Sequence, residues 1–497
     1  MLAILFLSQL FLSNYALIYT ARVRESMKNK LQLGFMENMY KKNWLSLNNY
    51  KTGDILTRIN ADVSNIVDIW ITVFPNLIAL FIQLATAYII LSNYDRTLAL
   101  LAFIVGPITI IPSFIIGKKL KSIQHNIQKA EGTLSSYINE SIQNLIIIKA
   151  FNYNTENIKQ IDNHQMDRRK FVLQKNRTTA YANFILGLGY QVGFFCALAF
   201  GAFRLSTEAI TFGTFTAFLQ LVSQIQGPID GLSRTIPQVI TSFASIERLE
   251  EVRELPDEDE DSITSRDETL KSPVSLQIDK VCFQYYENTP ILEDLSLKIS
   301  KGDKIALVGT SGEGKTTLIR TLLGLITPQS GGITLTLSDH SVLPVTSATR
   351  KYFSYVPQNN ALFSGTIEDN LKLANKNASR EEIDTALTAS FALQFVSELP
   401  LGINTIVGEK GVGLSEGQIQ RICIARALLH KTPFLILDEA TSALDIETEN
   451  SIIQNLSLYY PETTIIAITH RDSILEICDS VYTLKRGKLI EFSTPQK

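Results

Sequence analysis

The sequence predicts two domains of different fold class, an all-α polytopic membrane domain followed by an α/β domain. First, several apolar stretches in the N-terminal half are long enough to span a bilayer, which takes about 20 residues per helix. Second, residues 274–497 alternate short apolar runs with helical segments, a pattern typical of an α/β fold around a mostly parallel sheet. Third, an acidic run separates the two regions, as a solvated connector would. We therefore assign residues 1–250 to the membrane domain, 251–273 to an acidic linker and 274–497 to the α/β domain.

Five apolar stretches without any Asp, Glu, Lys or Arg predict five spans in the membrane domain. They are Leu2–Tyr19, Trp70–Leu91, Thr97–Gly117, Tyr181–Phe203 and Ala209–Ile229. So many long apolar stretches would be hard to bury in the core of one soluble protein. We therefore interpret them as transmembrane helices that continue as helices into the long polar segments between them.

Basic residues predict the orientation of these spans. They crowd the long segments after the first and third stretches, whereas the short connections 92–96 and 204–208 carry few charges. The positive-inside rule places the long segments in the cytoplasm, together with the α/β domain that follows the fifth span. An odd number of spans then leaves the N-terminus outside. This parity predicts either a reversed anchor or, as we favour, a further span that precedes residue 1.

A glycine-rich loop follows the apolar run 304–308 and predicts phosphate binding. Gly309 and Gly314 allow backbone angles and a close approach that a Cβ would forbid. The freed N–H groups and the following helix N-terminus can then surround an anion. In this arrangement Lys315 reaches the β- and γ-phosphates and the Thr316 hydroxyl binds Mg²⁺. The predicted nucleotide-binding residues of the loop are Gly309, Thr310, Ser311, Gly312, Glu313, Gly314, Lys315, Thr316 and Thr317.

A second apolar strand at 434–437 ends in two carboxylates. Asp438 stands where a P-loop enzyme places the outer partner of its Mg²⁺, and Glu439 beside it could polarise an attacking water. The four cysteines show no paired spacing, so they predict neither a disulfide framework nor a zinc site. The glycine-rich loop and the two carboxylates at 438 and 439 together predict ATP and Mg²⁺ as the cofactors.

With these motifs in this order, the chain resembles the ATP-binding cassette (ABC) transporters, and among them the exporters that fuse membrane and ATPase domains. Tyr285 lies where the family has its adenine-stacking aromatic, and Gln358 matches the glutamine that senses Mg²⁺ and water. His470 matches the switch histidine that contacts the γ-phosphate. The family signature is matched by Leu414, Ser415, Glu416, Gly417 and Gln418, and the family D-loop by residues 442–445, with Asp445 as its site residue. Both complete the site of a second cassette.

The resemblance implies specific roles for these residues. The α/β domain would be a P-loop NTPase of the ABC type, with Glu439 as catalytic base beside His470 and Gln358, and with Thr316, Gln358 and Asp438 at the metal. Glu416 departs from the glycine of the commonest signature, but this variant occurs among working exporters. Gly408-Glu409 resembles an exporter element that relays the nucleotide state to the membrane helices.

The resemblance also implies a dimer of identical or related half-transporters in the cell membrane, with the ATPase domains in the cytoplasm. Exporters of this type have six spans, and the five here align with the second to sixth. The turns near Gly53 and at Asn152–Asn157 lie where family members dock membrane helices onto the ATPase domains, the second usually onto the partner's. Because no span carries an ionisable side chain, we expect a hydrophobic or amphipathic substrate, such as a drug, lipid or peptide, and no nucleic acid. The alternative is a membrane ATPase that does not transport, acting as a regulator or gated channel on the same scaffold.

Overall fold

The computed structural model describes the backbone of residues 2–492 apart from 95, 209, 259–271, 311, 359–361, 409–412, 470 and 477. The side chains of 94–118 and of most of 222–241 also lie outside the described set. The chain forms two compact units. One contains residues 1–38 and 51–254, and the other contains residues 39–50 and 255–497.

The first unit is built almost entirely from long helices. The helices up to the end of this unit are α1 (Leu2–Tyr40), α2 (Trp44–Leu47), α3 (Thr52–Thr57), α4 (Val63–Asp68), α5 (Phe74–Tyr94), α6 (Arg96–Gln143), α7 (Leu145–Ala150), α8 (Asn154–Ser206) and α9 (Phe212–Arg253). Of these, the short α2 groups with the second unit. Two π-helical turns, Arg58–Asp62 and Ile69–Val73, join α3, α4 and α5 into one run of helical backbone.

Three of the described helical segments are long and apolar enough to cross a membrane. They are Ala3–Tyr40, Thr52–Ile90 and Asn154–Ser206, which cover the first, second and fourth predicted spans except for the end residues Leu2 and Leu91. The most apolar part of each segment is hardly buried in the protein, as expected for surfaces that face lipid. The backbone of the third predicted span lies within α6, and its side chains are outside the described residues. The fifth predicted span begins at Ala209, also outside that set, and continues in α9.

A buried carboxylate connects the first π-helical turn to the last long helix. Asp62 is 1% exposed, and its two oxygens accept hydrogen bonds from Ser245 Oγ at 2.9 Å and Arg248 Nε at 2.8 Å. One turn away, Arg58 pairs with Glu251 at 2.9 Å. A buried charge is tolerated only when it is paired and hydrogen-bonded, so these contacts fix the π-helical turn against α9.

The second unit is an α/β domain, which confirms the predicted fold class. Its strands are β1 (Pro273–Gln284), β2 (Pro290–Ser300), β3 (Lys304–Val308), β4 (Ser330–Leu337), β5 (Val342–Pro344), β6 (Phe353–Val356), β7 (Gly365–Thr366), β8 (Ile406–Val407), β9 (Phe434–Asp438), β10 (Thr464–Ile468), β11 (Ser480–Lys485) and β12 (Lys488–Phe492). Its further helices are α10 (Lys315–Leu322), α11 (Ile367–Lys372), α12 (Arg380–Ala389), α13 (Leu393–Glu398), α14 (Glu416–Leu429), α15 (Ile446–Tyr459) and α16 (Asp472–Leu475). An antiparallel sheet has the order β2-β1-β4-β5, and the central sheet has the order β12-β11-β3-β10-β9-β6.

The central sheet is parallel except for its edge strand β12. The strands β9 and β10 are buried along their whole length, as expected for a parallel sheet that is covered on both faces. In the register, Ile468 of β10 pairs with Leu307 of β3 on one side and with Asp438 of β9 on the other. The loop after β3 and the carboxylates after β9 therefore emerge at the same edge of the sheet.

We expect Asp62→Ala to destabilise the helical unit. It leaves Ser245 and Arg248 without their buried acceptor, at a cost of about 1–3 kcal/mol in the free energy of unfolding. The midpoint of thermal unfolding of the detergent-solubilised chain, followed by tryptophan fluorescence, measures this loss. The matched control is Glu250→Ala, which removes an exposed pair with Arg253 at 3.0 Å and should cost less than about 1 kcal/mol. Equal midpoints for the two variants would contradict the structural role of Asp62.

Candidate nucleotide site

The loop between β3 and α10 requires glycine at two positions. Gly309 has a φ of 150°, and a Cβ there would lie 2.5 Å from the carbonyl oxygen of Leu484. Gly314 has a φ of 101°, and a Cβ there would lie 2.9 Å from the carbonyl oxygen of Ile291. The backbone can therefore follow this path only without side chains at these points, as predicted for a loop that presents its N–H groups to an anion.

Lys315 begins α10 and folds back over the loop. Its buried Nζ donates to the carbonyl oxygens of Gly309 and, at 3.1 Å, Thr310. The next residue, Thr316, is exposed in the first turn of the helix. The loop thus carries an ammonium and a hydroxyl side by side at a helix N-terminus, where the partial positive charge of the helix favours an anion.

Glu313 braces the loop. Its carboxylate accepts hydrogen bonds from Thr310 Oγ1 at 3.1 Å and from the backbone N–H of Arg486, between β11 and β12. The bond from Arg486, followed by that from Thr310, lowers the pKa of Glu313. Its side chain therefore holds the shape of the loop.

Asp438, the last residue of β9, is buried at the edge where the loop between β3 and α10, from here on called the P-loop, emerges. Its Oδ2 accepts a hydrogen bond from Tyr355 Oη of β6 at 3.1 Å. Burial raises the pKa of Asp438, while the Tyr355 bond and the charges of Lys315 and Arg320 oppose that rise. Burial, followed by the Asp438 charge, raises the pKa of Tyr355, so this phenol stays a donor. Sequence reasoning missed Tyr355, because only the pairing of β6 with β9 brings it to the carboxylate.

Glu439 follows with a φ of 50°, and its backbone N–H donates to the carbonyl oxygen of Ile468 at 3.0 Å. Its carboxylate accepts a hydrogen bond from Gln358 Nε2 at 2.7 Å. Two predicted site residues that are far apart in sequence are therefore in direct contact. Ser311, His470 and Glu409 of the predicted site and exporter element lie outside the described residues.

The residues present fit Mg²⁺. Thr316 offers a hydroxyl, and Asp438 and Gln358 offer oxygens, which are the ligand types that this hard cation prefers. Within the described part of the chain, no group of three or more His, Cys, Asp and Glu side chains could hold a metal. This composition agrees with a magnesium ion held by one or two carboxylates together with the phosphates of a nucleotide.

Tyr285 is anchored to the P-loop helix. Its hydroxyl accepts a hydrogen bond from Arg320 Nη1 at 3.0 Å and lies 3.4 Å from Thr317 Oγ1. Its ring packs edge-on against Phe283 at 4.9 Å between centroids. The neighbouring Tyr286 is 79% exposed. Of the three aromatic residues in this segment, Tyr285 is the one with a hydrogen bond to the P-loop helix, and its stacking on adenine stays a prediction.

The signature residues begin α14, and one of them, Gly417, lies against the D-loop. Ser415 is the N-cap of α14: its Oγ accepts from the Gln418 N–H at 3.3 Å, and the Gln418 side chain accepts from the Ser415 N–H at 2.9 Å. A Cβ on Gly417 would lie 3.0 Å from the carbonyl oxygen of Ala443. Asp445 is in turn the N-cap of α15, and the N–H of Thr448 lowers its pKa. Leu414 is half-buried and Glu416 is exposed in the first turn of α14.

Two polar residues that sequence reasoning missed hold the D-loop. Gln420 is buried in α14, where it donates to Ser442 Oγ at 3.0 Å and accepts from the Ala443 N–H at 3.0 Å. Arg471 donates to the carbonyl oxygens of Leu444 at 2.7 Å and Ser442 at 2.6 Å. The only sequence signal for Gln420 is a polar residue within an apolar helix, which does not identify its partners.

Comparisons with known proteins agree with this geometry. Residues 1–229 match the family model described as ABC transporter transmembrane region, and residues 292–442 match the model described as ABC transporter. A putative multidrug export ATP-binding/permease protein of Staphylococcus aureus is 30% identical over 451 residues, which cover 90% of this chain and 77% of the relative. An ATP-dependent lipid A-core flippase of Desulfotalea psychrophila is 30% identical over 495 residues, which cover 99% and 85%. The solved structure of a bacterial Atm1-family ABC exporter with ATP bound has the same fold, with a TM-score of 0.85, 24% identity and coverage of 97% and 84%.

We expect Gly309→Ala to weaken ATP binding by about tenfold or more, which is about 1.4 kcal/mol, because the new Cβ must displace the loop from Leu484. Titration of the purified full chain with a fluorescent ATP analogue measures the affinity. Gly312→Ala is the matched control: its φ of 89° is also left-handed, but nothing lies within 4 Å of its Cβ. An equal loss of affinity in both variants would show that backbone angle alone, and not the close approach, decides the loop.

Proposed function

Because this chain belongs to the ABC transporter family and is an ATP-driven half-transporter of the exporter type, we propose that it moves a hydrophobic or amphipathic substrate out of the cell membrane. The observation that carries the proposal is the common edge of the central sheet, where the P-loop, Asp438 and the Gln358–Glu439 pair meet. These residues give that edge the parts that phosphoryl transfer requires.

We assign the chemical roles as follows. Lys315 neutralises the β- and γ-phosphates, and Thr316, Gln358 and Asp438 would hold Mg²⁺, which supplies charge neutralisation between those phosphates when bound. Glu439 orients the attacking water and accepts its proton. The bond from Gln358 at 2.7 Å supports this role, because it aims the carboxylate from a second loop. His470 is assigned to the γ-phosphate from its family position alone.

We propose that the complete site forms between two copies or two related chains. Gly417 lies against its own D-loop and Ser415 caps α14 in the described structure, and the family arrangement places both over the nucleotide of the partner. The helix α7 and its following turn support pairing, since Ile146 is 83% exposed and Phe151 is 80% exposed. Such an apolar surface on a polar segment is typical of a docking element. The lipid bilayer is the other partner.

The substrate class follows from the spans and from the relatives. No predicted span contains an Asp, Glu, Lys, Arg or His, which favours substrates that partition into the bilayer. The names of the two relatives point to drugs and to a lipid, and a peptide stays within the same class. The long basic segments after the first and third spans support an orientation with the ATPase domain in the cytoplasm.

The test of this function is reconstitution in proteoliposomes. An exporter hydrolyses ATP faster when its substrate is present, and it moves a fluorescent lipid or a lipophilic dye only with hydrolysable ATP. A panel of drugs, lipids and peptides identifies the substrate by stimulation. A regulator or gated channel would instead show no ATP-dependent substrate movement, and a channel would pass ions when ATP binds without hydrolysis.

We expect Glu439→Gln to retain ATP binding and to lower turnover by about 10²–10⁴-fold, because the water loses its base. ATP should then trap a closed dimer, which size-exclusion chromatography in detergent would detect. Glu447→Gln, an exposed carboxylate in the first turn of α15, is the matched control and should hydrolyse ATP normally. Undiminished turnover in Glu439→Gln would refute the assignment.

A further inference from the structure

Two short segments of the second unit pair with each other in a contact that we call the clasp, formed by residues 41–43 and 255–258. Lys42 and Asp257 form an antiparallel bridge. Around it, the Asn43 N–H donates to the carbonyl oxygen of Pro256 at 2.9 Å, and the Glu258 N–H donates to that of Lys41 at 2.8 Å. The start of the acidic linker is therefore bound by main-chain hydrogen bonds.

A buried ammonium lies at the centre of the clasp. Lys42 is 4% exposed, and its Nζ donates to the carbonyl oxygen of Leu255 at 2.9 Å and lies 2.6 Å from Asp257 Oδ1. Opening the clasp would leave this charge without its partners, which is costly in a buried position. The clasp is thus favoured to remain closed.

Glu258 connects the clasp to the helix that carries the P-loop. Its carboxylate forms a two-pronged pair with the Arg350 guanidinium, at 2.8 and 2.9 Å. The same guanidinium donates to the carbonyl oxygens of Leu323 and Gly324, both at 2.8 Å, at the C-terminal end of α10. Arginine suits this position, since its fork binds a carboxylate and its charge complements a helix C-terminus.

A second contact reaches α10 from the same segment. The Asn43 side chain caps α2 by accepting from the Leu45 N–H at 2.9 Å, so α2 begins where the clasp ends. Trp44 of α2 lies under the guanidinium of Arg320, with 4.7 Å between the guanidinium carbon and the ring centroid. Arg320 is the α10 residue that also binds Tyr285.

Along the chain, the clasp directly follows two long helices. Helix α1 ends at Tyr40, one residue before it, and α9 ends at Arg253, two residues before it. We propose that the clasp is a permanent strut that couples both helices to the P-loop helix, with Lys42, Glu258 and Arg350 as its positioning residues. This inference rests on the proposed function, because coupling presupposes that ATP turnover drives movement of substrate.

The first experiment separates coupling from hydrolysis. Arg350→Ala should leave basal ATP turnover of the reconstituted full chain near that of the parent, while stimulation by substrate and the rate of transport fall by about tenfold. Glu258→Gln, which keeps the shape of the side chain, should have the same effect to a smaller degree. The matched control is Glu462→Gln, which weakens an exposed pair with Lys301 at 2.6 Å and should keep full coupling. Full stimulation in both Arg350→Ala and Glu258→Gln would overturn the proposal.

The second experiment tests permanence by a cross-link. Facing residues in an antiparallel pair have Cα atoms about 4.5–5.5 Å apart, within the range of a disulfide. We therefore introduce Lys42→Cys and Asp257→Cys into a chain whose native cysteines 196, 282, 423 and 478 are replaced. A permanent strut gives equal cross-linking in the nucleotide-free and vanadate-trapped states, and the cross-linked parent chain transports as fast as the reduced one.

The outcomes distinguish the strut from the proposed function. Loss of cross-linking in the trapped state, or loss of transport once the parent chain is cross-linked, would show that the clasp must open and would overturn the strut. If the parent chain itself neither transports nor responds to any substrate, the proposed function fails. Cross-linking yield in the two nucleotide states, which needs no substrate, still decides whether the clasp stays closed.

Discussion

The candidate site depends on the parallel register of three buried strands. Strand β10 pairs with β3 on one side and with β9 on the other, so Val308 and Asp438 end their strands at the same edge. Parallel strands direct their carboxyl ends to one side of a sheet, and that crevice is where open α/β sheets bind ligands. The apolar side chains that cover both faces fix this register, because a slip by one residue would exchange the side chains that pack in the two apolar clusters on either face.

Around that edge, long-range hydrogen bonds hold loops whose backbone is strained. Glu439 adopts a φ of 50°, which a residue with a Cβ accepts only when its surroundings impose it. The bond from its N–H to Ile468 and the bond from Gln358 to its carboxylate provide that constraint. Gln420, which precedes the D-loop in sequence, and Arg471, which follows it, both hold that loop by hydrogen bonds to its backbone. The reactive groups of the site are therefore held in place by polar contacts that a strand pattern alone does not reveal.

The helix α10 makes different contacts at its two ends and along its side. Its N-terminal end carries the P-loop lysine, its side binds Tyr285 through Arg320, and its C-terminal end is joined to Arg350. Residues 39–50, which the sequence assigned to the membrane domain, group with this helix and its domain. Trp44 contacts this helix through Arg320, and Glu258 is joined to its C-terminal end through Arg350.

The sequence by itself determined the fold class, the glycine loop, the strand that ends in Asp438 and Glu439, and the order of the family motifs. These features are local: they depend on apolar periodicity, on glycine at a turn, and on residue types at fixed spacing. Only the tertiary structure decided that Tyr355 binds Asp438, that Gln358 binds Glu439, and that Lys42 is buried against residues 255–257. Each of these contacts joins residues more than eighty positions apart, and a one-dimensional pattern holds no record of which polar side chains the packing of apolar strands and helices will bring together.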